Sequence, residues 1–465
     1  MDEAGDGGAL VSATFLCRIS IYTRVILRSV WAGQPGQAPG YYVEIDWSKK
    51  VLLPAKRLVQ HPKDEERQIN RQLEQWGDGQ TMESKRKIRV GILTYHRAVN
   101  YGAFLQAYGL VMRLNQEPDL NAEIIDFNMQ IEVDDYINRY RKIKKNIRHP
   151  FISRYKRKLV RVFSESVSRM PLSSRHICSN ETEEFIRNVK DQYDLIICGS
   201  DELWKYNGMR GFPNSYWLPG DLGCVKASYA VSSNCDPEKV PEETKSKMGE
   251  LLSSFSLISV RDRMTLALVS RVTSLKVLLS PDPSFIYHYQ VDAARGRDFL
   301  QKTVGRKKRK KILLLAINEF RSESVIAQTV AKALHEEYAL VSVFSPHMGY
   351  RNMTVNPFEW INLIAAADIV CTTLFHGVCF SIINEKPFMA FVPDYKENKI
   401  MDVVEAAGFS DRVISSRDFD NVQLIREKAE KVVRESSKSS YPERAKAQFA
   451  DYLEQLRKAI RIKGE

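Results

Sequence analysis

The chain is 465 residues long, 44% hydrophobic, and carries seven cysteines and a formal charge of +12. That length allows two or three domains with full cores, and the odd set Cys17, Cys178, Cys198, Cys224, Cys235, Cys371 and Cys379, with no CxxC pair, excludes a closed disulfide framework and points to a reducing cytoplasm. The charge favours acidic partners such as phosphates, anionic glycans or lipid head groups; no DNA- or RNA-reading motif accompanies it, and the Cys and His residues show no metal-ligand spacing.

Residues 1–81 differ from the rest. Their apolar patch contains Arg18, Arg24 and Arg28, so it fits neither a spanning helix nor a secretory signal, and the run 33–40 is Gly- and Pro-rich. A poorly ordered extension is expected there, with Met82 leading into the first strong strand.

Ile88–Leu93 is an apolar run of the kind a buried parallel strand needs. Asn100, Tyr101, Gly102 and Ala103 then make a turn that opens a helix over 104–114, either a cradle for phosphate or carboxylate or an ordinary cap. A strand follows over 122–127. Between Tyr136 and Ser164 lie eleven Lys or Arg residues and no acid, on a stretch predicted helical over 134–163 that suits either an anionic surface or a solvated face. The strand at 193–198 delivers Gly199, Ser200 and Asp201 to its carboxyl end, as ligand or cap, with Trp204 as a flat face for a sugar. The strand at 226–231 ends in Ser232. After a short strand at 257–260, Arg261 and Arg263 bracket Asp262, an arrangement in which the carboxylate holds one guanidinium and frees the other for the cleft. Asp282 stands between Pro281 and Pro283.

A basic linker over 291–311 separates a domain at 82–290 from a second at 312–430, with helices over 431–465 returning to the first. In the second domain the strands at 312–317 and 339–344 end in Asn318 and Ser345. The organising stretch reads as a strand over 368–371, a turn over 372–377 holding His376 and Gly377, a helix over 378–384, and a strand Phe388–Val392. In such a βαβ unit His376 lies beyond the strand's carboxyl end, at a helix mouth, either as a proton carrier or as a capping side chain. Strands alternating with helices predict an α/β protein of two doubly wound, Rossmann-like domains facing a cleft.

The stretches 91–103, 193–204, 259–265 and 366–392 together resemble the polysaccharide pyruvyl transferase family, over about residues 88–430. The resemblance implies a glycosyltransferase-B type fold and transfer of a pyruvyl group from phosphoenolpyruvate to sugar hydroxyls. It implies Arg261 as a donor contact and matches Asp282 to a family motif. That chemistry needs a proton carrier for the methylene carbon, which falls to His376, cations for the donor, and a base for the hydroxyls. The turns at 100–102 and 199–201 are expected on the acceptor side. Phosphoenolpyruvate is the donor substrate and no cofactor or metal is called for; the acceptor is a saccharide or lipid-linked saccharide of a surface glycan, and the protein is expected in the cytoplasm, with peripheral contact to an anionic membrane open. Two other readings stand: a nucleotide-sugar glycosyltransferase whose Glu385 contacts a ribose, and a non-catalytic binding protein on the same fold.

Overall fold

The computed structural model describes residues 26–27, 41–46, 51–52, 56–57, 86–136, 150–305, 310–317, 321–394 and 397–464. The chain divides into two compact units, Met1–Ser84 and Lys85–Glu465. In the first, strand Tyr41–Asp46 pairs antiparallel with Ile26–Leu27, Val51–Leu52 and Lys56–Arg57. The rest of the expected extension, residues 306–309 of the predicted linker and Asn318 lie outside the described residues, and the predicted linker 291–311 is largely not a linker, since Ala293–Val304 is helical and Lys311 opens a strand.

The second unit contains two parallel sheets. In one, β1 (Ile88–Leu93), β2 (Leu120–Ile124), β3 (Leu195–Cys198) and β4 (Val225–Ser228) lie in the order β4-β3-β1-β2. Beyond β4 the pair β5 (Ile258–Val260) and β6 (Val277–Leu279) joins through the bridges Ala227 to Leu257 and Val231 to Val260. In the other sheet β7 (Lys311–Ala316), β8 (Tyr338–Val343), β9 (Arg351–Met353), β10 (Ile369–Thr372), β11 (Phe388–Val392) and β12 (Val413–Ser415) lie in the order β9-β8-β7-β10-β11-β12. The near-continuous apolar runs of β3, β7 and β10 follow from burial on both faces, which strands wound with helices on either side require. This is the two-lobed α/β arrangement, of glycosyltransferase-B type, that the sequence predicts. Strand order reverses beside β1 and beside β7, so each lobe opens a crevice at those carboxyl ends, where doubly wound sheets place ligands.

Several boundaries move, each for a local reason. Helix α1 spans Tyr101–Leu114, three residues earlier than predicted, because Asn100 Oδ1 accepts the amides of Gly102 and Ala103 at 3.1 and 3.2 Å and caps it. Of the basic stretch, Gln130–Tyr136 and α2 (Pro150–Val167) are helical and 137–149 lie outside the described residues; a proline's missing N–H costs a helix nothing at its first position. Strand β4 stops at Ser228 because Ala230 takes φ +50°. After α3 (Arg263–Val272), α4 (Ala293–Val304) and α5 (Pro357–Ala366), helix α6 spans Phe375–Ile383, so His376 and Gly377 lie within its first turn rather than in a turn before it. Helices α7 (Glu397–Ala407) and α8 (Tyr441–Gly464) follow.

An aromatic seam joins the lobes. Tyr101 meets Phe344 edge-on at 4.8 Å, Phe104 meets Phe358 at 5.6 Å, and Tyr289 meets Phe380 at 5.3 Å. α8 packs back on the first sheet, where the Tyr452 hydroxyl donates to the Ser228 carbonyl at 3.1 Å and Arg457 pairs with Glu117 and Asp119. Among the described residues no helix is long and apolar enough to cross a membrane.

Candidate active site

The described side chain on which both lobes converge is Asp282. It leaves β6 between two prolines and caps the next turn, its Oδ1 accepting the Ser284 amide at 2.9 Å. Its Oδ2 accepts from Arg261 Nη1 at 3.0 Å and lies 3.5 Å from His376 Nε2. Arg261 comes from the end of β5 and His376 from the first turn of α6, so the two predicted catalytic groups meet at one carboxylate although each sheet supplies only one of them. Both are buried, at 8% and 7% exposure. Burial alone would raise the Asp282 carboxyl, but His376, Arg261 and Ser284 beside it outweigh that and hold the group well below the usual carboxylate range.

His376 is seated by a glycine. A Cβ on Gly102 would fall inside the imidazole, nearest Nδ1, so only glycine lets the first turns of α1 and α6 approach this closely. Leu374 gives α6 no side-chain cap, so the amides of its first turn keep their pull on an anion. Arg261 Nε and His376 Nε2 have no hydrogen-bond partner among the described residues. The Arg261 guanidinium also stacks 4.7 Å over the Phe375 ring and lies 3.6 Å from Asp201 Oδ1. A cavity of about 400 Å³ opens beside them, lined by Arg261, Asp282 and Phe375 and, from α7, by Lys399, Asp402 and Glu405.

The other predicted residues divide. Asp201 belongs to the cluster through Arg261. Ser200 is buried and donates to the Ala230 carbonyl at 2.7 Å, and Gly199, at φ +129°, fits closely under the Tyr229 carbonyl, so both serve the chain's own turn rather than a ligand. Asn100 is a cap, and the Tyr101 hydroxyl donates to the Val355 carbonyl inside the seam. Ser232 is buried beside Asp201, its amide donating to the Asp201 carbonyl at 2.9 Å and its hydroxyl without a partner. Gly377 packs tightly on Thr372 Oγ1. Ser345 closes the end of its own strand, its carbonyl accepting the Ser342 hydroxyl. Trp204 is no sugar platform: it is fully buried and stacks on Trp217 at 5.1 Å. Asp262 restrains neither arginine by hydrogen bond or ion pair among the described contacts; it caps α3 through Thr265, while Arg263 crosses to Asp402 and Glu405. Glu385 lies past the last residue of α6, about 13 Å along the helix from the His376 end. It borders a different cavity, of about 380 Å³.

Sequence reasoning missed the pair Lys399 to Glu202, 2.5 Å across the lobes, and the hub role of Asp282, because neither has a spacing signature within one element. It also passed over Asp126, which follows β2 and is gripped by His96 at 2.9 Å, His176 at 3.1 Å and Arg97 at 2.5 Å.

The polysaccharide pyruvyl transferase family model matches residues 100–395, more than half of the chain. No curated protein matches in sequence. Among solved structures, UDP-GlcNAc 2-epimerase from Neisseria meningitidis, bound to UDP-GlcNAc, aligns at 10% identity over 80% of this chain and 99% of its own, with a TM-score of 0.43. The Methanocaldococcus jannaschii UDP-GlcNAc 2-epimerase aligns at 11% identity over 76% and 95%, TM-score 0.45. Anabaena HepE, in complex with UDP and glucose, aligns at 10% identity over 79% and 99%, TM-score 0.47.

Proposed function

The chain belongs to the polysaccharide pyruvyl transferase family, a family of transferases, and on that premise we propose that it moves a pyruvyl group from phosphoenolpyruvate onto two hydroxyls of a saccharide, closing a ketal. The observation that carries this is the meeting of His376 and Arg261 at Asp282, one from each lobe, beside a cavity of about 400 Å³. The donor is a small tri-anion. It takes the uncapped amides of α6 and the unpartnered Nε–H of Arg261, whose Nη1 stays on Asp282. His376 protonates the methylene carbon as the first sugar oxygen bonds to C2. Phosphate then leaves with its electron pair and the second hydroxyl closes the ketal; one hydroxyl proton ends on the new methyl group and the other on phosphate.

The acceptor is a surface glycan or its lipid-linked precursor. The exposed face of α2, with Arg154, Arg157, Lys158 and Arg161, supports contact with an anionic surface, and because Tyr155, Leu159 and Phe163 turn inward that contact is electrostatic rather than inserted. Flotation with phosphatidylglycerol vesicles at low and at high salt checks it: binding lost at high salt is expected, and no binding at either removes the membrane from the proposal.

The reaction itself is checked by thermal shift with phosphoenolpyruvate against UDP- and GDP-sugars, followed by phosphate release with saccharide acceptors. Stabilisation by phosphoenolpyruvate alone is expected. Stabilisation by a nucleotide sugar instead, or by none of them, sinks the donor assignment.

A further inference from the structure

Asp282 is predicted to touch substrate, yet both of its oxygens are committed within the protein. Oδ1 holds the Ser284 amide at 2.9 Å and Oδ2 holds Arg261 Nη1 at 3.0 Å, and the side chain is 1% exposed. The third group at Oδ2 is His376 Nε2, at 3.5 Å, a ring nitrogen with no hydrogen-bond partner among the described residues. A deprotonated ring nitrogen and a carboxylate oxygen are both acceptors. Facing each other in a dry site they repel, so the contact is favourable only with a proton on Nε2.

We propose that Asp282 is a positioning residue that keeps the neutral His376 imidazole in its Nε2–H form, leaving Nδ1 as the nitrogen that exchanges a proton with substrate. The inference rests on the reading of His376 as proton carrier. Arg261 in turn pins Asp282, so Arg261, Asp282 and His376 form a relay of orientation in which the carboxylate stays ionised, the logic by which a buried aspartate fixes the base of a hydrolase triad. Nδ1 is the ring atom nearest Gly102, at the first turn of α1 and beside the crevice where strand order reverses. In the reaction the bare Nδ1 takes the proton of the first attacking hydroxyl, the resulting imidazolium gives it to the donor's methylene carbon as that oxygen bonds to C2, and the imidazole ends as it began. The placement explains why the turn at Asn100 to Gly102 faces the chemistry although Asn100 itself only caps a helix.

The test combines spectroscopy and kinetics. In ¹⁵N-histidine-labelled protein, with the His376 signal assigned by its loss in H376A, the neutral ring should show a protonated Nε2 and a bare Nδ1; the opposite pattern overturns the proposal. This arm reads the tautomer in the wild-type protein and uses H376A only to assign the signal. In Asp282→Asn, Oδ1 still accepts the Ser284 amide while the new amide presents N–H groups to both Nε2 and Arg261 Nη1, so the proton moves to Nδ1 and Arg261 loses its anchor. With phosphoenolpyruvate, kcat should fall by about 10²–10⁴-fold, over and above any rise in KM from the loosened Arg261, and adding D282N to H376A should cost no further kcat. A rise in KM alone would make Asp282 a substrate contact, and a loss that recurs in full in the H376A background would make it merely structural; either overturns the assignment. Failure of the wild-type protein to turn over phosphoenolpyruvate would remove the proposed reaction while leaving the tautomer to be decided by the spectra.

Discussion

Glu132 shows how burial decides the charge of a side chain. Its Oε2 accepts from the Tyr216 hydroxyl at 3.0 Å and the Met129 amide at 3.2 Å, but burial outweighs both and pushes the carboxyl up to about 7. The nearest cation, Arg210, is 3.9 Å away, with its guanidinium stacked over Tyr95 and Tyr216. The folded protein therefore holds a proton on Glu132 that the unfolded chain releases near pH 4.5. Between those two values the native state binds more protons, so this group's contribution to stability falls as pH rises through the window and levels off above 7. Glu132→Gln fixes the neutral form. It should leave the Tm near that of wild type at pH 5 and raise it at pH 8 by a few degrees, from on the order of 1–3 kcal/mol. Scanning calorimetry at both pH values decides it, and a variant no more stable at pH 8 would show that Glu132 is ionised in the fold.

At the scale of elements, the legible part of the sequence was its continuous apolar runs. β1, β7 and β11 have the predicted bounds to within a residue, because an apolar run without alternation has few other uses. Helix starts were misplaced wherever a side chain two or three residues away set them, as Asn100 does for α1. The structure brings Arg261, Asp201, Asp282 and His376 together, yet a strand end cannot tell a ligand-facing side chain from one absorbed by its own turn, and for Ser200 and Asn100, read as ligand or cap, the structure shows bonds to the chain's own backbone. Trp204 illustrates the same limit, since an aromatic after a strand looks alike whether it meets a sugar or another tryptophan. The contact between α1 and α6 makes a sharp test of element placement. Gly102→Ala favours helix by roughly 0.5–1 kcal/mol in isolation, but its methyl group takes the space of the His376 ring. Turnover should fall by about 10²-fold with the Tm little changed, since a displacement near 1 Å is enough to misalign a proton carrier. Phosphate-release kinetics beside a melting curve would check it, and unchanged turnover would mean that the imidazole works from another position.

Across the whole molecule, the charged contacts between the lobes are of two kinds. Arg263 reaches Asp402 and Glu405 from an exposed position, 60% open to solvent, and pairs of that kind contribute about 1 kcal/mol or less. Lys399 and Glu202 are different, at 19% and 23% exposure and 2.5 Å apart, one on α7 and the other after β3. Burial would raise the Glu202 carboxyl, but Lys399 and then Arg261 keep it below its usual value, so removing the lysine leaves an acid in a half-dry place. Lys399 also lines the cavity beside Arg261, which gives it a second task if the donor binds there. The two tasks separate in a cycle. Lys399→Met should lower the Tm and raise KM for phosphoenolpyruvate; adding Glu202→Gln should restore most of the Tm, because the stranded carboxylate is gone, while KM stays high by about tenfold, because the cation is still missing. Recovery of KM together with the Tm would reduce the pair to a clasp between lobes and leave Arg261 and the first turn of α6 to hold the tri-anion without it.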